Sequence, residues 1–446
     1  MHELLSLIVE EPPADADHKQ GHKHPFVACE MLASESPVFL NRLVEDTAAM
    51  DYFFSLLSSE ALNLTLAGYF SKVFGAILNR CSLKFLDYLF GEHKALQDML
   101  RHVQCKSVAD ALLRVLTVDE DIYIPQRRLL IEALVDLVST DNLAQLVHLT
   151  DLLIDLNTRS DELKIWTGVM SPLANQPTLV KITAVLGSEA DLCVRATLTL
   201  LNALLSNPKF LVLVDPAVLQ ELMQTAVPAM ETILDRPSKE SLSTAFGEPI
   251  RCVGETKIRC LELISTLYRT GKLGQLVTAS RLPELATALF MDFPWNSFLH
   301  QAFYQLVQTA MSGDLQQQVQ FLAQTHLCAG ISGLGLTDTL ASGQTLRKCA
   351  LGHAIRIGQL LLKASETAEI AQALEAEVGW GKYVSEVLPP LLKVESTAIG
   401  AERKSSDVSE SELERLTTDV DVSFSSEVFL LFPCWDAGGG AGGGNP

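Results

Sequence analysis

The chain has 446 residues, 48% of them hydrophobic and 20% charged, with a formal charge of −20 from 34 Lys and Arg against 54 Asp and Glu. That much apolar material excludes disorder along the whole length. The acidic excess argues against binding nucleic-acid phosphates or an anionic membrane surface, and suits docking on a basic protein face.

Residues 1–24 read as a short helix followed by a polar loop. The apolar run after Met1-His2-Glu3 stops at Glu10-Glu11-Pro12-Pro13, too soon for a secretory leader. No uncharged apolar run reaches the roughly 20 residues needed to cross a bilayer. From Pro25 onward the pattern is helix after helix. In 61–79, Leu62, Leu66, Phe70, Val73 and Ile77 recur at three- and four-residue steps, which predicts an amphipathic helix. Helices are likewise predicted over 82–90 and 92–103, separated by Gly91, and over 106–117 and 126–139. Further units follow at about 141–155, 161–170, 176–186, 189–206 and 215–234, then 255–270, 274–290, 295–312, 314–325, 345–365 and 367–390. Asn207-Pro208, Asp215-Pro216 and Arg236-Pro237 punctuate the short connections.

Two stretches interrupt the series. Residues 236–254 are rich in Pro, Gly, Ser and charge and read as a surface loop. Residues 328–344 carry Gly330, Gly333, Gly335 and Gly343 and read as a mobile connection. Beyond residue 393 the composition turns acidic and then Gly-rich. The expected organisation is therefore an N-terminal helix and loop over 1–24, a helical-repeat domain over 25–393 and a disordered tail over 394–446. That tail includes a sticky segment at 428–432. Ser405, Ser406, Ser409 and Ser411 beside its acidic residues resemble phosphorylation sites.

So many consecutive helices with short connections cannot pack around one centre, but they can stack as pairs. No strict repeat period is present. The expected fold class is all-α, an α-solenoid of degenerate HEAT/armadillo-like helical repeats.

The chemistry of an enzyme is missing. There is no P-loop, H-E-x-x-H or G-x-S-x-G pattern, and the metal-binding Asp, His and Asn motifs of phosphatase catalytic subunits are absent. No cofactor is expected. The nine cysteines form no C-x-x-C pair and read as buried, reduced thiols. His18, His22 and His24 have metal-capable spacing but lie in a polar segment, which favours a solvated loop over a metal site. His93, His102 and His148 read as single helical histidines at polar edges.

Three stretches carry a resemblance. The first comprises Glu3 to Pro13, Pro25 to Leu32, and Leu66-Ala67-Gly68-Tyr69-Phe70-Ser71-Lys72-Val73. The second runs Lys257 to Tyr268 and on to Phe293-Pro294-Trp295-Asn296-Ser297-Phe298-Leu299-His300, and the third is Leu351-Gly352-His353-Ala354-Ile355-Arg356-Ile357. In this order they resemble the SAPS domain family, the regulatory subunits of protein phosphatase 6 and its fungal counterpart. The family usually has Asn at the position of Ser297, further helices before the first stretch and a longer C-terminal region. The resemblance implies a non-catalytic subunit that binds a protein phosphatase 6-type catalytic subunit and directs it to substrates. It also implies ankyrin-repeat regulatory proteins as a further partner class. The expected location is the cytoplasm, with the nucleus as a second compartment. The alternative is a generic α-solenoid scaffold or transport adaptor without a phosphatase partner.

Pro294, Trp295, Asn296, Phe298 and His300 form the first candidate contact segment. Pro294 suits a first helical turn, and Trp295 and Phe298 fall three residues apart, as an aromatic anchor requires. They suit packing between repeats equally well, with Asn296 capping a turn. Lys72 is a candidate for an acidic partner group, and His353 with Arg356 for a small polar patch. Each of these also suits a structural role as a solvated charge or an internal pair.

Overall fold

The computed structural model describes residues 1–396 apart from 14, 35, 92–93, 119–120, 239, 244–248, 335–336 and 340–344. The expected tail, its apolar segment and its serines lie outside the described residues from 397 on, as does His93. Residues Met1–Leu392 form one unit.

Helices α1 (His2–Val9), α2 (His24–Leu32), α3 (Pro37–Glu45) and α4 (Thr47–Phe54) pack beside the long α5 (Leu64–Leu89). Then follow α6 (Ala95–Arg101), α7 (Lys106–Thr117), α8 (Ile124–Asp136), α9 (Leu143–Thr158), α10 (Trp166–Met170) and α11 (Gln176–Ala184). After these come α12 (Asp191–Ser206), α13 (Pro208–Leu213), α14 (Pro216–Asp235), α15 (Glu255–Arg269), α16 (Lys272–Thr278) and α17 (Leu282–Asp292). The described part closes with α18 (Ser297–Ala310), α19 (Leu315–Thr325), α20 (Leu327–Gly333), α21 (Ala350–Ala364), α22 (Ala368–Ala376) and shorter turns through Ser396.

Many of the helix starts have a polar residue that explains them. Asp46, Asn63, Asn142, Asn175, Asn207, Asp215, Asn296 and Asp314 each stand immediately before a helix, their side chains accepting from backbone N–H groups two or three residues on. Each satisfies a donor that the helix start leaves without an internal partner.

Two layers result. Helices α5, α7, α9, α12, α15, α18 and α21 pack side by side in succession, while α8, α11, α14, α17, α19 and α22 do the same behind them. This is the stacking of an α-solenoid, in which each unit buries its apolar stripe against the next. In α12 the buried Val194, Leu198, Leu201 and Leu205 follow the helical repeat. Polar cross-links tie neighbours within the first layer. Thr266 of α15 donates to Asn202 of α12 at 2.7 Å, and Ser265 lies 3.1 Å from the Thr309 hydroxyl of α18. Asn207, at the cap of α13, donates to Asn157 Oδ1 of α9 at 3.0 Å.

The structure differs from the sequence expectation in places. The helices predicted over 61–79 and 82–90 are one helix with a kink at Cys81 (φ −128°, ψ 35°). Residues 274–290 divide into α16 and α17, and Gly271, at φ 60°, adopts the left-handed turn that sends the chain from α15 into α16. The first interruption contains a short antiparallel pair, β1 (Ser241–Ser243) with β2 (Pro249–Arg251). The second, expected as a mobile connection, is helical as α20 up to Gly333 and then holds β3 (Thr337–Thr339), which pairs with β4 (Thr345–Arg347) at the start of the predicted 345–365 helix. His102 is not at a polar edge. It is buried, with Nε2 2.9 Å from the Leu57 carbonyl.

Candidate protein-interaction surface

The turn between α17 and α18 gathers most of the residues singled out in sequence. Phe293 ends α17, and its carbonyl accepts the Asn296 N–H at 3.3 Å. Asn296 then caps α18, accepting from Leu299 N at 2.9 Å. Pro294 and Trp295 therefore lie in the turn and not in the helix, which begins only at Ser297. The expectation that Pro294 opens the helix is corrected because the Asn cap outcompetes it as a start signal. With Trp295 outside the helix, Trp295 and Phe298 are not carried on one helix face.

Three elements clamp this turn. The Ala350 N–H of α21 donates to the Pro294 carbonyl at 3.1 Å. Arg251 of β2 lies 5.0 Å over the Phe293 ring and donates to the Asp292 carbonyl at 3.2 Å. His300, fully buried, sends Nε2 to the Phe293 carbonyl at 2.8 Å. A carbonyl only accepts, so Nε2 carries the proton and Nδ1 is left bare, with no partner among the described residues. Burial pushes this imidazole down to about 4, since protonating Nδ1 would create a charge with nothing to receive it.

The same packing brings His353 of α21 to α18. Its ring lies 5.7 Å from that of His300, and Nε2 is 3.2 Å from Gln301 Oε1. Burial lowers the His353 pKa, and Arg356 one turn along lowers it further. Arg356 itself is exposed. Around them Phe298 is 61% exposed, Trp295 is half-buried, and Gln301, Gln305 and Gln308 face outward. The structure thus brings Pro294, Trp295, Asn296, Phe298, His300, His353 and Arg356 into one region. Within it Asn296 and His300 hold the turn, whereas Phe298 and Arg356 are exposed.

Lys72 lies elsewhere, on α5, where it forms an ion pair with Glu30 of α2. Nearby is a feature the sequence reading did not single out. A groove of about 320 Å³ is lined by Leu4, Val27, Met31 and Phe39 among others, with Phe26 and Val38 also exposed. An apolar repeat on α2 and α3 gave its only signal. The histidines expected in a loop lie instead along a helical turn, Lys19–Lys23, that runs into α2 at His24, and the rings of His18 and His22 are 5.4 Å apart. Of the cysteines, Cys29, Cys81, Cys105, Cys193, Cys260 and Cys328 are buried, Cys252 is half-buried and Cys349 is exposed.

Comparison with known proteins gives one match confined to the part of the chain that holds this turn and others that run along most of it. Residues 273–397 match the family described as SAPS, SIT4 phosphatase-associated protein. The chain is similar to the serine/threonine-protein phosphatase 6 regulatory subunit 3 of Gallus gallus, 25% identical over 420 residues covering 85% of this chain and 46% of the relative. It is also similar to regulatory subunit 1 of Mus musculus, 24% identical over 454 residues covering 86% of this chain and 53% of the relative. The chain spans about half the length of these curated relatives. A designed armadillo repeat protein shares 13% identity at a TM-score of 0.38, covering 60% of this chain and 99% of the designed one. The match to the SAPS model thus lies in the later part of the chain, and the relatives it resembles along most of its length are named as phosphatase 6 regulatory subunits.

Proposed function

We propose that this chain is a non-catalytic regulatory subunit that binds a protein phosphatase 6-type catalytic subunit and directs it to substrates. The observation that carries the reading is a coincidence of place. The SAPS match over 273–397 contains the clamped α17–α18 turn and the outward side chains of α18 and α21. A rigid scaffold presenting an aromatic side chain is the arrangement interface hot spots use. The mechanism is positioning: holding phosphatase and phosphoprotein on one scaffold raises their effective concentration. Trp295, Phe298 and Arg356 are the contacts proposed, with Pro294, Asn296, His300 and His353 shaping the surface and Lys72 a separate contact on α5. Ankyrin-repeat proteins are a further proposed partner class, and the cytoplasm the proposed site of action, with the nucleus a second.

The test is capture of the catalytic subunit by the tagged full-length chain from its own cells. Recovery of a phosphatase 6-type subunit, reduced by Trp295→Ala, is the expected result. Recovery of other proteins with no phosphatase sinks the reading and leaves a scaffold or transport adaptor in its place.

A further inference from the structure

The formal charge of −20 is spread unevenly. Residues 293–365 contain only two acidic residues, Asp314 and Asp338, against Arg347, Lys348, Arg356 and Lys363. Helices α18 and α21 contain no Asp or Glu at all. They are neighbours in the first layer, so their outward faces form one continuous acid-free surface. It presents Phe298, Gln301, Gln305 and Gln308 from α18, and Arg356 and Lys363 from α21. Neither Arg356 nor Lys363 has an ion-pair partner among the described residues.

The charges that border this surface on the α15 side are paired, and others stand at its ends. On α15, Arg259 lies between Glu255 and Glu262 at 3.1 and 3.0 Å, and Glu255 also meets Arg195 of α12 at 2.5 Å. Arg269 closes the same helix. Beyond α21, Lys382 and Glu386 are both exposed and four residues apart in sequence, while Asp292 and Glu366 flank the two helices in sequence. The contrast with the other end of the layer is sharp. There Asp110 of α7 and Asp151 and Asp155 of α9 lie close enough to interact, and burial followed by these carboxylates raises the Asp151 pKa against the opposing pull of Lys106.

We propose that the α18–α21 face docks an acidic segment of a partner protein that carries an apolar side chain. Arg356 and Lys363 meet its carboxylates, Phe298 takes the apolar side chain, and the outward glutamines hydrogen-bond its backbone. In an acidic protein, most of the surface repels such a segment. This face does not, so charge steers the segment to it and disfavours docking on acidic faces. The inference deepens the regulatory reading and rests on it only for which protein carries the segment.

Two measurements on the full chain separate them. The first follows the fluorescence anisotropy of a short labelled peptide of Asp, Glu and Ser around one Phe and one Leu, beside the same peptide with Lys for each acid. The second is capture of the catalytic subunit. The acidic peptide binds, added salt weakens it, and Arg356→Glu with Lys363→Glu weakens it at least tenfold at unchanged melting temperature. Phe298→Ser weakens it independently. Binding of both peptides alike, or of the acidic one unaffected by the charge reversal, overturns the docking surface whatever the capture shows. Peptide binding that behaves as expected without any phosphatase capture keeps the docking surface and removes the regulatory reading.

Discussion

The imidazole of His300 reaches back seven residues to the carbonyl of Phe293, Nε2 to O at 2.8 Å, and so ties the first turn of α18 to the residue that follows α17. The same carbonyl accepts from Asn296, and the neighbouring Pro294 carbonyl accepts from Ala350. One buried side chain therefore holds the turn that presents Trp295. His300→Ala removes the bond and leaves a cavity, costing about 2–4 kcal/mol. Amide exchange at Asn296 and Ala350 is expected to quicken more than exchange in α9. Uniform quickening along the chain would show that His300 has no special hold on the turn.

His300 also sets a pH dependence. Its pKa is pushed from 6.5 to about 4 by burial. Above pH 6.5 both folded and unfolded chains hold it neutral. Between 6.5 and 4 the unfolded chain takes up a proton that the folded chain refuses, so stability falls as pH falls, by on the order of 3 kcal/mol across the window. Below about 4 this group causes no further loss. Thermal melts at pH 7 and pH 5 should converge in His300→Gln relative to the parent chain. A parent and variant with the same acid sensitivity would assign it to other groups.

Asn296 caps α18 through the Leu299 N–H, so Asn296→Ala costs about 1 kcal/mol while Asn296→Ser costs little. Equal melting temperatures for Asn296→Ala and the parent would show that the cap adds nothing to the clamp.

That cap also shows what the sequence made legible. An Asn before an apolar stripe such as Leu299, Phe303, Leu306 and Ala310 is a local signal, and local signals located most helices, including α12 and α15. Pro294 competes as a start signal, and nothing local ranks it below the Asn two residues on. The hairpins at β1–β2 and β3–β4 escaped because three-residue strands are too short to show alternation. The kink at Cys81 falls at the polar step Asn79-Arg80-Cys81-Ser82, which reads locally as a break. That the helix runs on through it goes with contacts between distant elements, such as Cys81 Sγ 3.3 Å from Asn41 Oδ1, forty residues away. The burial of His300 had no signature either, since a lone helical histidine reads the same inside or out. The surface charge was written in the sequence, but its meaning depended on α18 and α21 being neighbours.

Gly75 permits a close approach that sequence alone does not announce. A β-carbon there would lie 2.5 Å from the Arg114 guanidinium of α7. Because that is the far end of a flexible, exposed side chain, Gly75→Ala should displace Arg114 at little cost, whereas Gly75→Val should push α5 and α7 apart. A melting temperature lowered by the valine and held by the alanine is expected. Equal large losses would place the constraint on the backbone and not on Arg114.

Phe298 and Phe303 sit five residues apart on α18 with opposite fates, 61% exposed and fully buried. Phe303 stacks on Phe290 of α17 with ring centroids 4.7 Å apart, so Phe303→Ala opens a cavity worth about 3–5 kcal/mol. Phe298→Ala changes stability by about 0.5 kcal/mol at most, as for other surface positions. If the outward face of α18 is the contact surface, Phe298→Ala should cut capture of the catalytic subunit at unchanged melting temperature. Phe303→Ala should lower melting first and capture only in proportion to unfolding. Loss of capture in Phe303→Ala alone, at temperatures where that variant is still folded, would move the contact away from the exposed side of α18.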